Sequence, residues 1–387
     1  MRLIINTAST FKGGGVQVAR SFLYECRAFD EHEFGVVLGP GLEAVVDTSD
    51  FPTNFQFFRL GYRPAERVFS AGGAASDLQH IEAAFDANVV FTTSGPSYWR
   101  PRAKHLMGFN LPHYMYPESP FFSHLLGPLE RLRWYAKSKL IHHFTRGFAD
   151  AWVVQTDDVN QRLRRWIKSE SVYTVPNTIS SAYLASASEP PPEEESQVKA
   201  LRHDFRVLVL SSYYRHKNLE ILNDIINVMR ERSIDDVRFV MTLPSQDFEK
   251  TISPQNRKFV NNVGPQRPEK CPALYHSADA LFLPTLLECF SANYVEAMAM
   301  GRPIVTTDLG FAHSICADAA LYFEPLNALH ALERILELKA SSHLSKYLVA
   351  LGKQELKRFG TARERAQAYL SLCIEMTKHK IPESEAR

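Results

Sequence analysis

The chain has 387 residues, of which 45% are hydrophobic and 22% charged, and its net charge is +1. That length exceeds one ordinary core and predicts two domains, while the balanced charge excludes the broad basic field of a nucleic-acid-binding protein. Five scattered cysteines (Cys26, Cys271, Cys289, Cys316, Cys373) include no Cys-x2-Cys pair and read as reduced, mostly buried thiols of a cytosolic protein.

Apolar runs alternate with helical-period segments, the pattern of parallel α/β sheets. Met1–Asn6 reads as a short buried strand rather than a signal peptide, because the apolar run is brief and no cleavage site follows. Strands are predicted at Leu3–Ile5, Glu33–Leu38, Asn88–Thr92, His105–Phe109, Ala151–Gln155 and Val172–Val175, with helices at Gln17–Phe29 and Leu125–Arg146. After a Pro/Glu/Ser-rich stretch, strands are predicted at Phe205–Leu210, Arg238–Thr242, Ala280–Leu283, Pro303–Thr306 and Ala320–Tyr322. Helices fall at Leu219–Arg232, Pro272–Ser277, Ala292–Met300, Ala328–Leu338 and Ala362–Lys378. No segment has the length of a transmembrane helix, so any membrane contact is expected to be peripheral.

Several loops carry chemistry. Lys12-Gly13-Gly14-Gly15-Val16-Gln17 follows the first strand and opens a helix. Its glycines let backbone N–H groups approach a ligand, and a helix N-terminus favours phosphate; a tight turn needing positive φ is the plainer alternative. It is not Gly-x-Gly-x-x-Gly, and no acidic residue closes a second strand at the dinucleotide spacing, which disfavours a dehydrogenase. Gly108-Phe109-Asn110-Leu111-Pro112-His113 places His113, and less compellingly Asn110, just after a strand, where either can hydrogen-bond a ligand or simply the loop.

Arg131–His143 is basic and aromatic and can lie on an anionic membrane. Leu125, Leu129, Leu132, Ala136, Leu140 and Phe144 step by three and four, which is equally a stripe facing the core, and the core is the favoured reading. Ser211-Ser212-Tyr213-Tyr214-Arg215-His216-Lys217-Asn218 follows a strand, so Arg215 and Lys217 are placed to neutralise a diphosphate; a solvated basic loop is the alternative. Pro284-Thr285-Leu286-Leu287-Glu288-Cys289-Phe290-Ser291-Ala292-Asn293-Tyr294-Val295-Glu296 continues the strand at Ala280–Leu283, places Glu288 in a loop, opens a helix at Ser291 and Ala292, and sets Glu296 on it. Strand, polar loop and helix N-terminus make an anion site, and two carboxylates beside it can grip hydroxyl groups, as a nucleotide-sugar requires. No His, Cys or carboxylate cluster has metal-ligand spacing, so no metal is expected.

The stretch from Glu288 to Glu296, closed by Gly301-Arg302-Pro303, resembles the Glu-x7-Glu motif of retaining glycosyltransferases of family 4. The resemblance is strongest from Leu208 to Pro325 and includes Thr306–His313 and Ala319–Pro325, which read as architecture. It implies a GT-B fold, with two Rossmann-like α/β domains facing across a cleft. The domains would be residues 1–185 on the acceptor side and 203–360 binding the nucleotide-sugar, joined by a linker at 186–202, with 361–387 a helix returning to the first domain. Members of the family commonly carry Arg five residues before the Lys; here that place is Ser212, and Arg215 stands nearer to Lys217 instead. Members also often read Pro-Asn-Gly where this chain has Pro176-Asn177-Thr178, and Asn177 is as well suited to a turn as to a ligand contact.

The resemblance implies a retaining, metal-independent hexosyltransferase without a bound cofactor, using a UDP- or GDP-linked donor and a glycan or lipid-linked acceptor. Surface polysaccharide or lipopolysaccharide synthesis follows from family habit, at a cytoplasmic location or the inner face of a membrane reached through 131–146. In that reading Arg215 and Lys217 hold the diphosphate, with the backbone of Ser291 and Ala292 assisting. Glu288 contacts the donor sugar and Glu296 the ribose, Gly14 and Gly15 approach donor phosphates or acceptor, and His113 lines the reacting centre. The alternatives are a non-catalytic glycan- or nucleotide-binding relative, or another GT-B enzyme such as a phosphorylase or sugar-nucleotide epimerase.

Overall fold

The computed structural model describes residues 1–378 except 12, 69, 71–72, 181–182, 184–185 and 187–203. The expected linker at 186–202 therefore lies, Ser186 apart, outside the described residues, as does the end of the last helix beyond 378. The chain divides into two compact units. One comprises Met1–Met115, Leu129–Asn177 and Gly360–Arg387, the other Tyr116–Pro128 and Thr178–Phe359.

The first unit holds seven parallel strands: β1 (Arg2–Asn6), β2 (Glu33–Leu38), β3 (Phe55–Arg59), β4 (Val89–Thr92), β5 (Lys104–Gly108), β6 (Ala151–Val154) and β7 (Val172–Thr174), in the order β3-β2-β1-β4-β5-β6-β7. The second holds six: β8 (Phe205–Val209), β9 (Val237–Met241), β10 (Val260–Asn262), β11 (Ala280–Leu283), β12 (Ile304–Thr307) and β13 (Ala320–Phe323), in the order β10-β9-β8-β11-β12-β13. Both are doubly wound α/β sheets, and their orders reverse between β1 and β4 and between β8 and β11. The central strands are unbroken buried runs, as strands covered on both faces must be: Leu3, Ile4 and Ile5 in β1 and Leu281 and Phe282 in β11 expose nothing.

Each unit has its own core. In the second, Ile221, Leu222, Ile225, Ile226 and Met229 of the Ile221–Glu231 helix pack with Val207, Phe239 and Phe282 of the sheet. In the first, Phe22 of the Gly14–Cys26 helix meets Phe91 of β4 and Tyr369 of the Ala362–Lys378 helix edge-on, with centroids 5.4 Å apart in both pairs. That last helix is fastened by buried Arg365, which donates to Asn177 Oδ1 and to Ser21 Oγ, both at 3.0 Å. Asn177 thus spends its side-chain oxygen on an internal cation.

Two features of the sequence reading change. Residues 116–128 belong to the second unit although the chain has not finished the first, and the first unit's central stretch ends at Asn177 rather than 185. The 116–128 segment is held by Ser119 Oγ, which donates to the Leu286 carbonyl at 2.7 Å, and by Tyr116 against Phe311 at 5.8 Å. In the Pro128–Arg146 helix, Ile141, Phe144 and Thr145 are the buried residues, while Leu129, Leu132, Ala136 and Leu140 are exposed. The favoured core-facing stripe therefore faces water along most of its length.

Candidate active site

In a doubly wound sheet, the loops leaving the two strands at the order reversal diverge to opposite faces and open a crevice at the strands' carboxyl ends. In the second unit these are the loops after β8 and β11, the two that carry Arg215, Lys217 and Glu288. After β8, Arg215–Lys217 forms a single 3₁₀ turn that ends on Asn218 in the left-handed region (φ 52°, ψ 40°), and the helix begins only at Ile221. Lys217 therefore stands ahead of the helix, on the turn rather than at its first residue. After β11 the chain runs buried through Thr285, Leu286, Leu287, Glu288, Cys289 and Ser291.

The two loops are stitched together by backbone. The Leu286 N–H donates to the His216 carbonyl at 2.8 Å, and Thr307 Oγ1 donates to the Thr285 carbonyl at 2.7 Å. Asn293 donates its side-chain amide to the Leu210 carbonyl, tying the following helix to the end of β8. On this frame Lys217 Nζ donates to Glu288 Oε1 in an ion pair whose side chains keep only 19% and 11% of their surface exposed. Two loops distant in sequence thus deliver one cation and one carboxylate to a single point. An ammonium has three donors; the pair uses one of those on Lys217. Arg215 donates to the Leu125 carbonyl of the 116–128 segment, and His216 meets Phe121 edge-on at 6.3 Å.

Ser291 is the N-cap of the Ala292–Ala299 helix (φ −101°, ψ 118°), and its side chain makes no cap hydrogen bond. The first-turn N–H groups, with Ala292 exposed at the lead, so have no hydroxyl cap from Ser291. The helix stops at Gly301, whose φ of 62° is one that a side chain resists. Glu296 sits on this helix with quite different partners from Glu288. Tyr275 donates its hydroxyl to Glu296 Oε2 at 3.0 Å, and Tyr183, whose ring lies 5.8 Å from that of Tyr275, also hydrogen-bonds the carboxylate. Burial pushes the Glu296 carboxyl up to about 7, against the opposing pull of the two hydroxyls.

The first unit carries Gly14, Gly15 and His113. Gly14 and Gly15 are the first two residues of the helix rather than a loop before it, and Gly13 is the N-cap with φ 71° and ψ −155°; Lys12 lies outside the described residues. A Cβ on Gly14 would meet nothing within 4 Å, and one on Gly15 would touch Thr10 Cγ2 at 3.6 Å and Asn110 Nδ2 at 3.8 Å. Ser94 Oγ donates to Asn110 Oδ1 at 2.8 Å beside it. His113 lies flat on Trp134, with centroids 4.6 Å apart and planes 4° from parallel. Burial first, and Lys137 second, bring its pKa down to about 4, so the ring is neutral near pH 7 and offers one N–H and one lone pair. Among the described residues no group of three or more His, Cys, Asp or Glu is placed to hold a metal ion.

The sequence missed the 116–128 segment and the tyrosines around Glu296. Tyr275 lay within an expected helix, but periodicity alone does not say what a tyrosine hydroxyl meets. The segment between β5 and the Pro128–Arg146 helix has no periodicity to read.

Residues 204–340 match the family model described as glycosyl transferases group 1. No curated protein matches the chain. Among solved structures, sucrose-phosphate synthase from Thermosynechococcus elongatus is 13% identical, with 98% of this chain and 99% of that one covered and a TM-score of 0.71. A glycosyltransferase from Rickettsia africae is 15% identical over 98% and 99%, with a TM-score of 0.70. Anabaena HepE, solved in complex with UDP and glucose, is 14% identical over 97% and 100%, with a TM-score of 0.69. At such identities the likeness establishes the fold, which is GT-B. With the group 1 match across the second sheet, it defines the class: the chain is a GT-B glycosyltransferase.

Proposed function

We propose that this protein is a retaining, metal-independent transferase of family 4 type that moves a hexose from a nucleotide-sugar to a glycan or lipid-linked acceptor. The observation that carries the reading is the Lys217–Glu288 pair at the order reversal of the second sheet. A departing nucleoside diphosphate gains negative charge, and a fixed cation at that point lowers the barrier. Lys217 and Arg215 hold the diphosphate, assisted by the free N–H groups that begin at Ser291 and Ala292. Glu288 orients the donor sugar, and Glu296, steadied by Tyr275 and Tyr183, receives the ribose hydroxyls.

Retention follows from attack on the face the leaving group departs from. The bond from the anomeric carbon to the phosphate oxygen breaks, a bond to the acceptor oxygen forms, and the acceptor proton passes to the leaving phosphate. Gly14, Gly15 and His113 serve the acceptor side, with neutral His113 as a hydrogen-bonding group rather than a charged one. UDP is the favoured donor base over GDP, because HepE is solved with UDP, with UDP and glucose, and with UDP-glucose. The acceptor belongs to surface polysaccharide or lipopolysaccharide synthesis on the cytoplasmic side of a membrane, and no bound cofactor takes part.

The test is a thermal-shift panel of UDP-, GDP-, ADP- and dTDP-sugars in EDTA. A ligand that binds only the folded chain raises its melting temperature by mass action. A rise with one nucleotide family that persists in EDTA and disappears in Lys217→Ala supports the reading and names the base. A rise that EDTA abolishes, or one that survives in Lys217→Ala, overturns it.

A further inference from the structure

The Pro128–Arg146 helix leaves apolar side chains in water to an extent seen nowhere else among the described residues. Leu129, Leu132 and Tyr135 expose 73%, 64% and 62% of their surface, more than any other large hydrophobic residue, and Leu140 exposes 38%. The helix is not loosely attached. Its far side is anchored by buried Ile141 and Thr145, by Trp134 under His113, and by His142 Nε2 at 2.9 Å from the Trp166 carbonyl, and the stripe's own last member, Phe144, is buried. A firmly packed helix that presents leucines outward has a second partner for that face.

The arrangement of the face identifies the partner. At 3.6 residues per turn, Leu129, Leu132, Ala136 and Leu140 fall within about 80° of arc, opposite Ile141 and Thr145. The stripe is flanked on one side by Arg133 and Lys137 and on the other by Tyr135, Lys139 and Arg146, all exposed. Across its 19 residues the helix carries five Arg or Lys against one acid, Glu130. A second copy of this chain, meeting the face symmetrically, would set cations against cations. A partner that is anionic at its surface and apolar just beneath satisfies both parts at once.

We propose that this face seats the protein on an anionic lipid bilayer, with the helix lying in the interface plane. The leucine stripe is about 16 Å long at 1.5 Å per residue, and an apolar face of this kind sinks to the level of the acyl boundary while Lys and Arg reach the headgroups. Tyr135 suits that boundary, with an apolar ring and a polar hydroxyl. Each cation near an anionic surface contributes on the order of 1 kcal/mol, so the attachment depends on salt. Among the described residues no helix is long and apolar enough to cross a membrane, and this one lies on it. The inference stands apart from the donor chemistry and would survive a different donor or acceptor.

The experiment is co-sedimentation of the full chain with vesicles of phosphatidylcholine alone or mixed with phosphatidylglycerol, at low and high salt. One variant replaces Leu129, Leu132 and Leu140 with Ser; a second carries Arg133→Glu and Lys139→Glu. The unaltered chain should pellet with the mixed vesicles, far less with phosphatidylcholine alone, and less in high salt. Each variant should lose about tenfold or more in partitioning with its melting temperature unchanged. Should the serine variant fail to fold, the charge-reversed one carries the test. A chain that stays in the supernatant with anionic vesicles, or variants that pellet as the unaltered chain does, overturns the proposal. So does a loss of self-association in the variants without any lipid dependence, which would make the face a protein interface.

Discussion

The two sheets share one winding order but present different chemistry where that order reverses. At the ends of β1 and β4 the side-chain hydrogen bonds among the described residues join neutral groups, Lys12 lying outside those residues. Asn6 donates to Thr92 Oγ1 at 3.2 Å, Thr92 Oγ1 lies 2.8 Å from His105 Nε2, and Ser94 meets Asn110 further out. His105 is itself kept neutral near pH 7, since burial lowers its pKa to about 4. At the ends of β8 and β11 the corresponding loops hold Lys217, Glu288 and Arg215. One topology thus carries buried neutral hydrogen bonds at one reversal and a largely buried ion pair at the other, and function has to be argued from side chains rather than from the fold. In the proposed reading the diphosphate goes to the charged set.

The sharpest way to break that comparison is to remove the cation. Lys217→Ala should lower kcat/KM by about 10²–10³, the usual cost of one preorganised donor to a developing anion. It also leaves Glu288 largely buried without its partner, which costs about 3–5 kcal/mol of stability. Lys217→Met combined with Glu288→Gln removes both charges, so it should recover most of the melting temperature and none of the activity. A double variant as active as the unaltered enzyme would reduce the pair to a structural one. In the first unit, Ser94→Ala should change activity far less.

Glu296 supplies the next test, through pH. Its folded pKa of about 7 lies above the ordinary 4.5, so the folded chain holds a proton that the unfolded chain has released. Stability from this group is complete below about pH 4.5 and is lost as pH rises through 7, amounting to about 1–2 kcal/mol once partial exposure is allowed for. Glu296→Gln should flatten this part of the stability profile, as read by chemical denaturation from pH 4.5 to 8. It should also raise KM for the donor about tenfold with little change in kcat. Tyr275→Phe is milder: losing a hydroxyl that favours the carboxylate moves the Glu296 titration upward and raises donor KM a few-fold. An unshifted donor-binding pH profile in Tyr275→Phe would count against a positioning role.

How much of this was legible varies by region for physical reasons. Buried central strands announce themselves as unbroken apolar runs, and Glu33–Leu38 and Ala280–Leu283 are found where the sequence puts them. The two strands passed over, β3 and β10, both lie at sheet edges. β3 has no fully buried residue and β10 reads Val-Asn-Asn, so neither carries the apolar signal. The Asp157–Ile167 helix was missed despite a legible start, with Thr156 capping the Val159 N–H and Val159, Leu163 and Ile167 in step. At the site, residue type and strand-end position marked Lys217 and Glu288, while their direct contact depends on a backbone bond between loops that sequence does not display. Periodicity also established that the Pro128–Arg146 helix has an apolar face, but not whether protein covers it.

The smallest expected effects lie at the start of the first helix and bear on the neutral half of the comparison. Gly13 holds φ 71° with ψ −155°, a region essentially confined to glycine, which costs another residue about 1–3 kcal/mol. Gly13→Ala should therefore lower the melting temperature whatever its ligand does. Gly14 and Gly15 have ordinary helical geometry and room for a methyl group, so Ala at either should leave stability unchanged or raise it by up to about 1 kcal/mol. Glycine at these two places would then not be required for folding, and the kinetics test the proposed approach of a ligand to the backbone. Gly15→Ala, whose new methyl would sit against Asn110, should raise KM for acceptor or donor while the protein melts no earlier. Unchanged kinetics in both Gly14→Ala and Gly15→Ala would remove this helix start from the site and leave Gly13 with a purely conformational role.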